Sequence, residues 1–153
     1  MPHPPRTTRR HLVGLAAAAA WLVPPGAHGA GPAALSFATL YKTIGVRGLE
    51  FSDRVQQLRG RDVAITGYMA PPLKAESRFF VLSSEPLALC PFCQSDAEWP
   101  VDIVVVYLAE VMPLLAAGVR ITVSGRLDVG SWIDPESGFV SLLRLVDARY
   151  RDA

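Results

Sequence analysis

The sequence predicts a mainly β fold, a small five-stranded barrel with one short helix between its third and fourth strands. Three observations carry this. Stretches 61–70 and 119–129 alternate apolar and polar residues with the period of a half-buried strand. Ile103 to Leu108 (IVVVYL) is apolar on both sides, as a buried strand would be. The two alternating stretches also share one design, with a glycine at the same inward position: Ile65-Thr66-Gly67-Tyr68-Met69 against Val123-Ser124-Gly125-Arg126-Leu127. A glycine there suits a bend or bulge of the kind a small barrel needs to close.

The first strand spans Arg61 to Ala70, with Val63, Ile65, Gly67 and Met69 inward, and Pro71-Pro72 stops it. Arg78 to Ser84 is the second, paired to the first across the loop holding Lys74 and Glu76. Ile103 to Leu108 is the third. Ala109 to Ala117 reads as the short helix, with Gly118 where a left-handed C-terminal cap belongs and Pro113 near enough the start to be tolerated. Asp102, Glu110 and Pro113 interrupt the apolar stretch 101–117, so it does not read as a membrane span. Val119 to Val129 is the fourth strand and Phe139 to Ala148 the fifth. Asp134-Pro135 supplies turn chemistry in the loop 130–138, which carries Trp132, and Arg149 to Ala153 reads as a polar tail. Three strands, a helix and two strands is the order of an OB-like barrel, with another small barrel or an open α+β sheet as the rival.

Ahead of this domain (61–150), residues 31–60 form an extension. Phe37, Leu40, Tyr41 and Ile44 suit a short amphipathic turn or two. Ser52-Asp53 followed by Val55 and Leu58 reads as a short capped helix ending near Gly60. Residues 1–30 read as an export signal: Arg6, Arg9 and Arg10, then the uncharged run Leu12 to Val23, then a small-residue exit at Ala27, Gly29 and Ala30. Thr8-Arg9-Arg10-His11-Leu12 looks like a twin-arginine signal. The apolar run is shorter than the roughly 20 residues a membrane-spanning helix needs, so no permanent anchor is expected after cleavage. The expected location is the periplasm.

Cleavage changes the arithmetic. The whole chain of 153 residues has 15 Lys+Arg, 14 Asp+Glu and 3 histidines. The leader takes all three histidines (His3, His11, His28) and three arginines, leaving 12 basic against 14 acidic residues, a net charge of −2. A chain without histidine has no Ser-His-Asp or Cys-His catalysis and no His-ligated metal. Negative charge argues against nucleic acid as a partner, because phosphate-backbone binding rests on a basic groove; Arg120, Arg126, Arg144 and Arg149 are the residues from which a local cluster would be built.

The chemistry-bearing segment is Cys90-Pro91-Phe92-Cys93, between the second and third strands. Four readings compete, the last being two free thiols. An exported pair of thiols usually oxidises to a disulfide, which over so short a loop adds little chain-entropy stabilisation. Two thiolates also make a metal half-site for zinc or copper(I), with Asp96 and Glu98 the nearest carboxylates. A dithiol redox pair is the third, although no long helix or βαβ start accompanies the motif. Phe92 and Trp99 suit an aromatic lip for a partner, or packing against the barrel. Trp132 with Tyr68 and Arg126 is a second candidate surface, since OB-like barrels bind ligands near their inter-strand loops.

Val63 to Met69, then Phe79-Phe80-Val81-Leu82, then Cys90 and the segment to Tyr107 resemble an uncharacterised family (a domain of unknown function) of small exported bacterial proteins with an OB-like fold. The resemblance covers roughly residues 50–148. Cys90 matches that family's fixed cysteine, and Cys93 is an addition. Genes of the family often lie beside components of metal-type ABC transporters. The resemblance therefore implies a non-enzymatic accessory module that assists an envelope ABC-transport or metal-handling system. The alternative is a thiol–disulfide oxidoreductase, or its redox partner, using Cys90 and Cys93.

Overall fold

A computed structural model describes residues 1, 31–45, 48–71, 78–87, 99–113, 115–116 and 118–153. The fold is mainly β with one short α-helix. In chain order the elements are β1 (Ala33–Leu35), a 3-10 turn (Phe37–Thr39), β2 (Tyr41–Gly45), β3 (Gly48–Phe51), α1 (Asp53–Leu58), β4 (Asp62–Met69), β5 (Phe79–Ser83), β6 (Ile103–Leu108), β7 (Arg120–Ile133) and β8 (Val140–Asp152).

The five expected strands all form, as β4 to β8, and three short ones precede them. β2 and β3 make a separate antiparallel hairpin, while β1 adds to β4 in parallel, Ala33 to Leu35 lying opposite Val63 to Ile65. The remaining order is β4-β5-β6-β8-β7, with β4 and β7 paired as well. β6 and β8 run parallel, and the other neighbours among β4 to β8 run antiparallel.

Alternation along β4 and β7 places their apolar sets inward. Val63, Ile65, Met69, Ile121, Val123 and Leu127 are fully buried with Phe80, Leu82, Val104, Val106, Leu143 and Leu145. α1 forms where the capping signal placed it. The Ser52 hydroxyl accepts the Val55 backbone N–H at 3.2 Å, and Val55 and Leu58 enter the core.

No helix forms between β6 and β7 among the described residues, contrary to the expectation for Ala109 to Ala117. Pro113 disfavours the α region for the residue before it. The local hydrogen bonds go elsewhere: the Ala109 N–H donates to the Ala148 carbonyl and the Tyr150 hydroxyl to the Pro113 carbonyl. Val111, which a packed helix would bury, is 64% exposed. The expected tail from Arg149 is also strand, because β8 continues along β7 as far as Asp152 opposite Ile121. Trp132 lies within β7 opposite Ser141, not in a loop.

Both long strands bend at irregularities. Between Ser124 and Arg126 the partner β8 carries one extra residue, and Asp147 there has a positive φ of 53°. Asp is one of the few side chains that tolerate this region. Gly125 faces the bulge, where a Cβ would come within 2.9 Å of the Ala148 Cβ. A second irregularity lies between Val129 and Trp132, at Gly130 with φ 120°.

Candidate functional site

The sheet has a second apolar face. Ala70, Val81, Ile103 and Val105 are buried on it, and Phe79, Leu87, Trp99, Tyr107 and Phe139 pack against them. This is why β6 is apolar at every position but one: alternate residues enter different clusters, Val104, Val106 and Leu108 one, Ile103 and Val105 the other. Trp99 touches both clusters. Its indole N–H donates to the Tyr41 hydroxyl at 2.8 Å, and its ring lies 6.5 Å from that of Phe139. Tyr41 in turn stacks on Phe51 at 5.3 Å. Burial raises the Tyr41 hydroxyl above the ordinary phenol range, opposed by the Trp99 hydrogen bond.

Where this face meets the β7–β8 hairpin it becomes polar. Arg144, opposite Val105 on one side and Asp128 on the other, is buried. Its guanidinium donates to Asp128 Oδ2 at 2.6 Å, to the Gly130 carbonyl at 2.8 Å, and to the Ser141 carbonyl and hydroxyl at 3.3 Å each. A buried arginine needs this many acceptors to offset its lost hydration. The bulge at Gly130 frees the carbonyl it uses. The Trp132 ring sits 5.2 Å from the guanidinium carbon, a cation–π distance, and meets the Tyr107 ring edge-on at 5.2 Å. Trp132 is thus fixed in orientation while 36% exposed, and its neighbour Ile133 is 62% exposed.

Tyr107 completes the group. It stacks on Phe79 at 5.5 Å, and its buried hydroxyl makes no hydrogen bond of ordinary geometry but lies close enough to the Asp134 carboxylate to interact with it. Burial, then the nearby Asp134 carboxylate, push its pKa well above the ordinary range against the pull of Arg144. Asp134 behaves oppositely. Burial raises its pKa, but hydrogen bonds from the Ser137 backbone, the Ser137 hydroxyl and the Glu136 backbone outweigh it and hold the carboxyl low. Those bonds measure 2.7, 2.8 and 3.1 Å and close the turn between β7 and β8.

The residues singled out in the sequence fall into separate groups. Cys90, Phe92, Cys93, Asp96 and Glu98 lie outside the described residues. Trp99 packs inward. Tyr68 lies opposite Arg120, Arg126 is six positions further along β7 and Trp132 six beyond that. At about 3.3 Å per residue these are roughly 20 Å steps, so the three do not meet. Arg126 instead pairs with Asp147 at 2.9 Å. Arg144, Tyr107, Asp134 and Asp128 were missed as a group. One signal was present: a single arginine inside the apolar run Leu142-Leu143-Arg144-Leu145-Val146. Among the described residues no cluster of three or more His, Cys, Asp or Glu is placed to hold a metal, and no helix is long and apolar enough to cross a membrane.

The chain matches no family model and no curated protein. Its fold is similar to the crystal structure of a DUF3299 family protein from Pseudomonas aeruginosa PAO1, with a TM-score of 0.51 and 12% identity, over 81% of this chain and 99% of that one. At that identity the likeness concerns the fold. It agrees with the resemblance to an uncharacterised domain of unknown function.

Proposed function

We propose that the chain is an exported, periplasmic OB-like binding module without catalysis of its own, built of a cleavable leader (1–30), an extension (31–60) and a small barrel (61–150). The ring of pairings β4-β5-β6-β8-β7-β4, with β6 and β8 parallel, supports the OB-like reading. The Cys90-Pro91-Phe92-Cys93 segment is its functional or stabilising centre, as a disulfide or as a half-site for zinc or copper(I). Its role is to assist an envelope ABC-transport or metal-handling system.

The observation that carries the choice of centre is the anchoring of its two ends. Leu87 and Trp99, which flank the segment, both pack on the same outer cluster. The described residues on either side of the two thiols thus start from one face of the sheet.

Native mass spectrometry tests this on protein purified from the periplasm without chelator, before and after reduction. A metal adduct that disappears in the Cys90→Ser/Cys93→Ser variant supports the metal half-site. A metal-free mass lower by two thiol hydrogens supports the disulfide. Two free thiols without metal in the freshly isolated protein would sink the proposal.

A further inference from the structure

On the side of the sheet away from the main core, a second set of residues comes together by register, independent of the cysteine segment. Tyr68 faces Arg120, and Thr66, Thr122 and Arg151 share one row across β4, β7 and β8. The next row is Ala64, Ser124 and Arg149, and Asp62 faces Arg126 beyond it. Burial alternates along these strands, so the named positions point outward while Ile65, Ile121 and Val123 point into the core. The floor is small residues, and the rim carries four arginines.

Those arginines are not equivalent. Arg126 is neutralised by Asp147 at 2.9 Å and Arg149 by Glu110 at 3.0 Å. Arg120 and Arg151 have no carboxylate partner among the described residues, and Arg151 spends one N–H on the Asp152 carbonyl. They sit at diagonal positions of neighbouring strands, roughly 7–8 Å apart at the backbone, where like charges repel. Beside them the Thr66 and Thr122 hydroxyls share a single 2.9 Å hydrogen bond. Whichever hydroxyl accepts in that bond keeps its own proton for a third group. Two arginines without a carboxylate partner among the described residues and one outward O–H thus occupy neighbouring positions on this face.

We propose that Arg120 and Arg151, with the Thr66–Thr122 hydroxyl pair, bind a phosphate group. A phosphate offers several acceptor oxygens and more than one negative charge, which two guanidiniums and a hydroxyl satisfy together, and it removes their mutual repulsion. The same chemistry arrives on a soluble phosphate or on a lipid headgroup.

The test has two arms on the full chain. Inorganic phosphate is titrated into isotope-labelled protein while amide shifts are followed. Flotation with vesicles of phosphatidylcholine, with and without phosphatidylglycerol, forms the second arm. Saturable shifts centred on Thr66, Arg120, Thr122 and Arg151 without flotation assign a soluble phosphate ligand, and flotation that requires phosphatidylglycerol assigns a headgroup. In either arm Arg120→Gln/Arg151→Gln weakens binding about tenfold or more, since charge-assisted hydrogen bonds are lost. Arg126→Gln/Arg149→Gln, which removes arginines already paired, changes it by no more than about twofold. Thr122→Val keeps every charge and loses the shared proton, so it weakens binding less than the first double variant. Unfolding curves establish that each variant is folded. No binding in either arm, or equal losses in the two double variants, overturns the proposal.

Discussion

A β-carbon on Gly67 would lie 2.5 Å from the Ser83 backbone carbonyl oxygen, closer than real Cβ contacts come. The same atom would stand 2.9 Å from the Phe37 ring. Gly67 is therefore the point where β4, the end of β5 and the 3-10 turn of the extension are pressed together. Gly67→Ala forces backbone apart and costs about 1–3 kcal/mol, as overpacking does. Denaturant unfolding checks it, and an unchanged midpoint would mean that β4 and the end of β5 do not approach as closely as described. Gly125→Ala presses on the Ala148 methyl and the Val146 carbonyl at 2.9 and 3.0 Å, at a bulge that has more room to give, and is the milder of the two.

Trp99 joins the hairpin β2–β3 to the β7–β8 hairpin through Tyr41 and Phe139. An isolated two-stranded hairpin is marginal in water, so this attachment holds β2–β3 in place. Tyr41→Phe removes one acceptor and leaves the part-buried indole N–H without it, a loss of about 1 kcal/mol. Trp99→Phe removes the donor instead. In a double-mutant cycle the two losses should be less than additive, and strict additivity would show that the hydrogen bond contributes nothing.

Tyr107→Phe is closer to neutral. Its buried hydroxyl makes no hydrogen bond of ordinary geometry and interacts only with the nearby Asp134 carboxylate, so removing it changes stability by no more than about 1 kcal/mol. The sign with pH follows from the raised pKa. The folded state keeps the Tyr107 proton more tightly than the unfolded chain does. Its contribution is complete below the ordinary value of 10.0 and is lost as pH climbs through the folded value. Stability curves at alkaline pH should therefore fall less steeply for Tyr107→Phe than for the parent.

Asp134 has its pH dependence at the acid end. Its folded pKa is held below the ordinary 3.8, so its stabilisation is present above that value and drains away as pH falls through the lower folded one. Asp134→Ala leaves the Ser137 and Glu136 backbone N–H groups without this acceptor and loosens the β7–β8 turn. Hydrogen exchange at Glu136 and Ser137 should rise in the variant at neutral pH, and in the parent only in acid. Exchange that ignores both changes would show that the turn is held by Pro135 and Gly138 alone.

The strands were legible because burial follows alternation, and alternation is written in single residues: Val63, Ile65 and Met69, or Ile121, Val123 and Leu127. α1 was legible because Ser52 is a local cap. What failed depended on non-local partners. Ala109 to Ala117 has a helical composition, but Ala148 and Tyr150, far along the chain, bond to the Ala109 N–H and the Pro113 carbonyl. The polar stretch after Ala148 becomes strand because β7 lies beside it. Arg144, Asp128, Tyr107 and Asp134 are scattered in sequence, and only the pairing of β6, β7 and β8 makes them neighbours. Gly125 was expected at a bend, and the structure places the bulge in the opposite strand, at Asp147.

Arg144→Met tests how far Trp132 depends on that assembly. The substitution keeps much of the stem's volume but removes the donors to Asp128, Gly130 and Ser141 and the cation under the indole. Asp128 is 43% exposed at its side chain and regains water, so its share of the loss is small. The Gly130 and Ser141 acceptors are left short, and the net cost is about 1–3 kcal/mol. Trp132 then has one ring contact in place of two. Its fluorescence should shift toward that of a solvated indole, and quenching by a soluble quencher should increase. A companion Asp128→Asn variant keeps an acceptor for the guanidinium and should leave the emission near that of the parent. An unaltered Trp132 signal in Arg144→Met would mean that Tyr107 alone fixes the indole, and the cation beneath it would then be a consequence of strand register with no part in holding the hairpin tip.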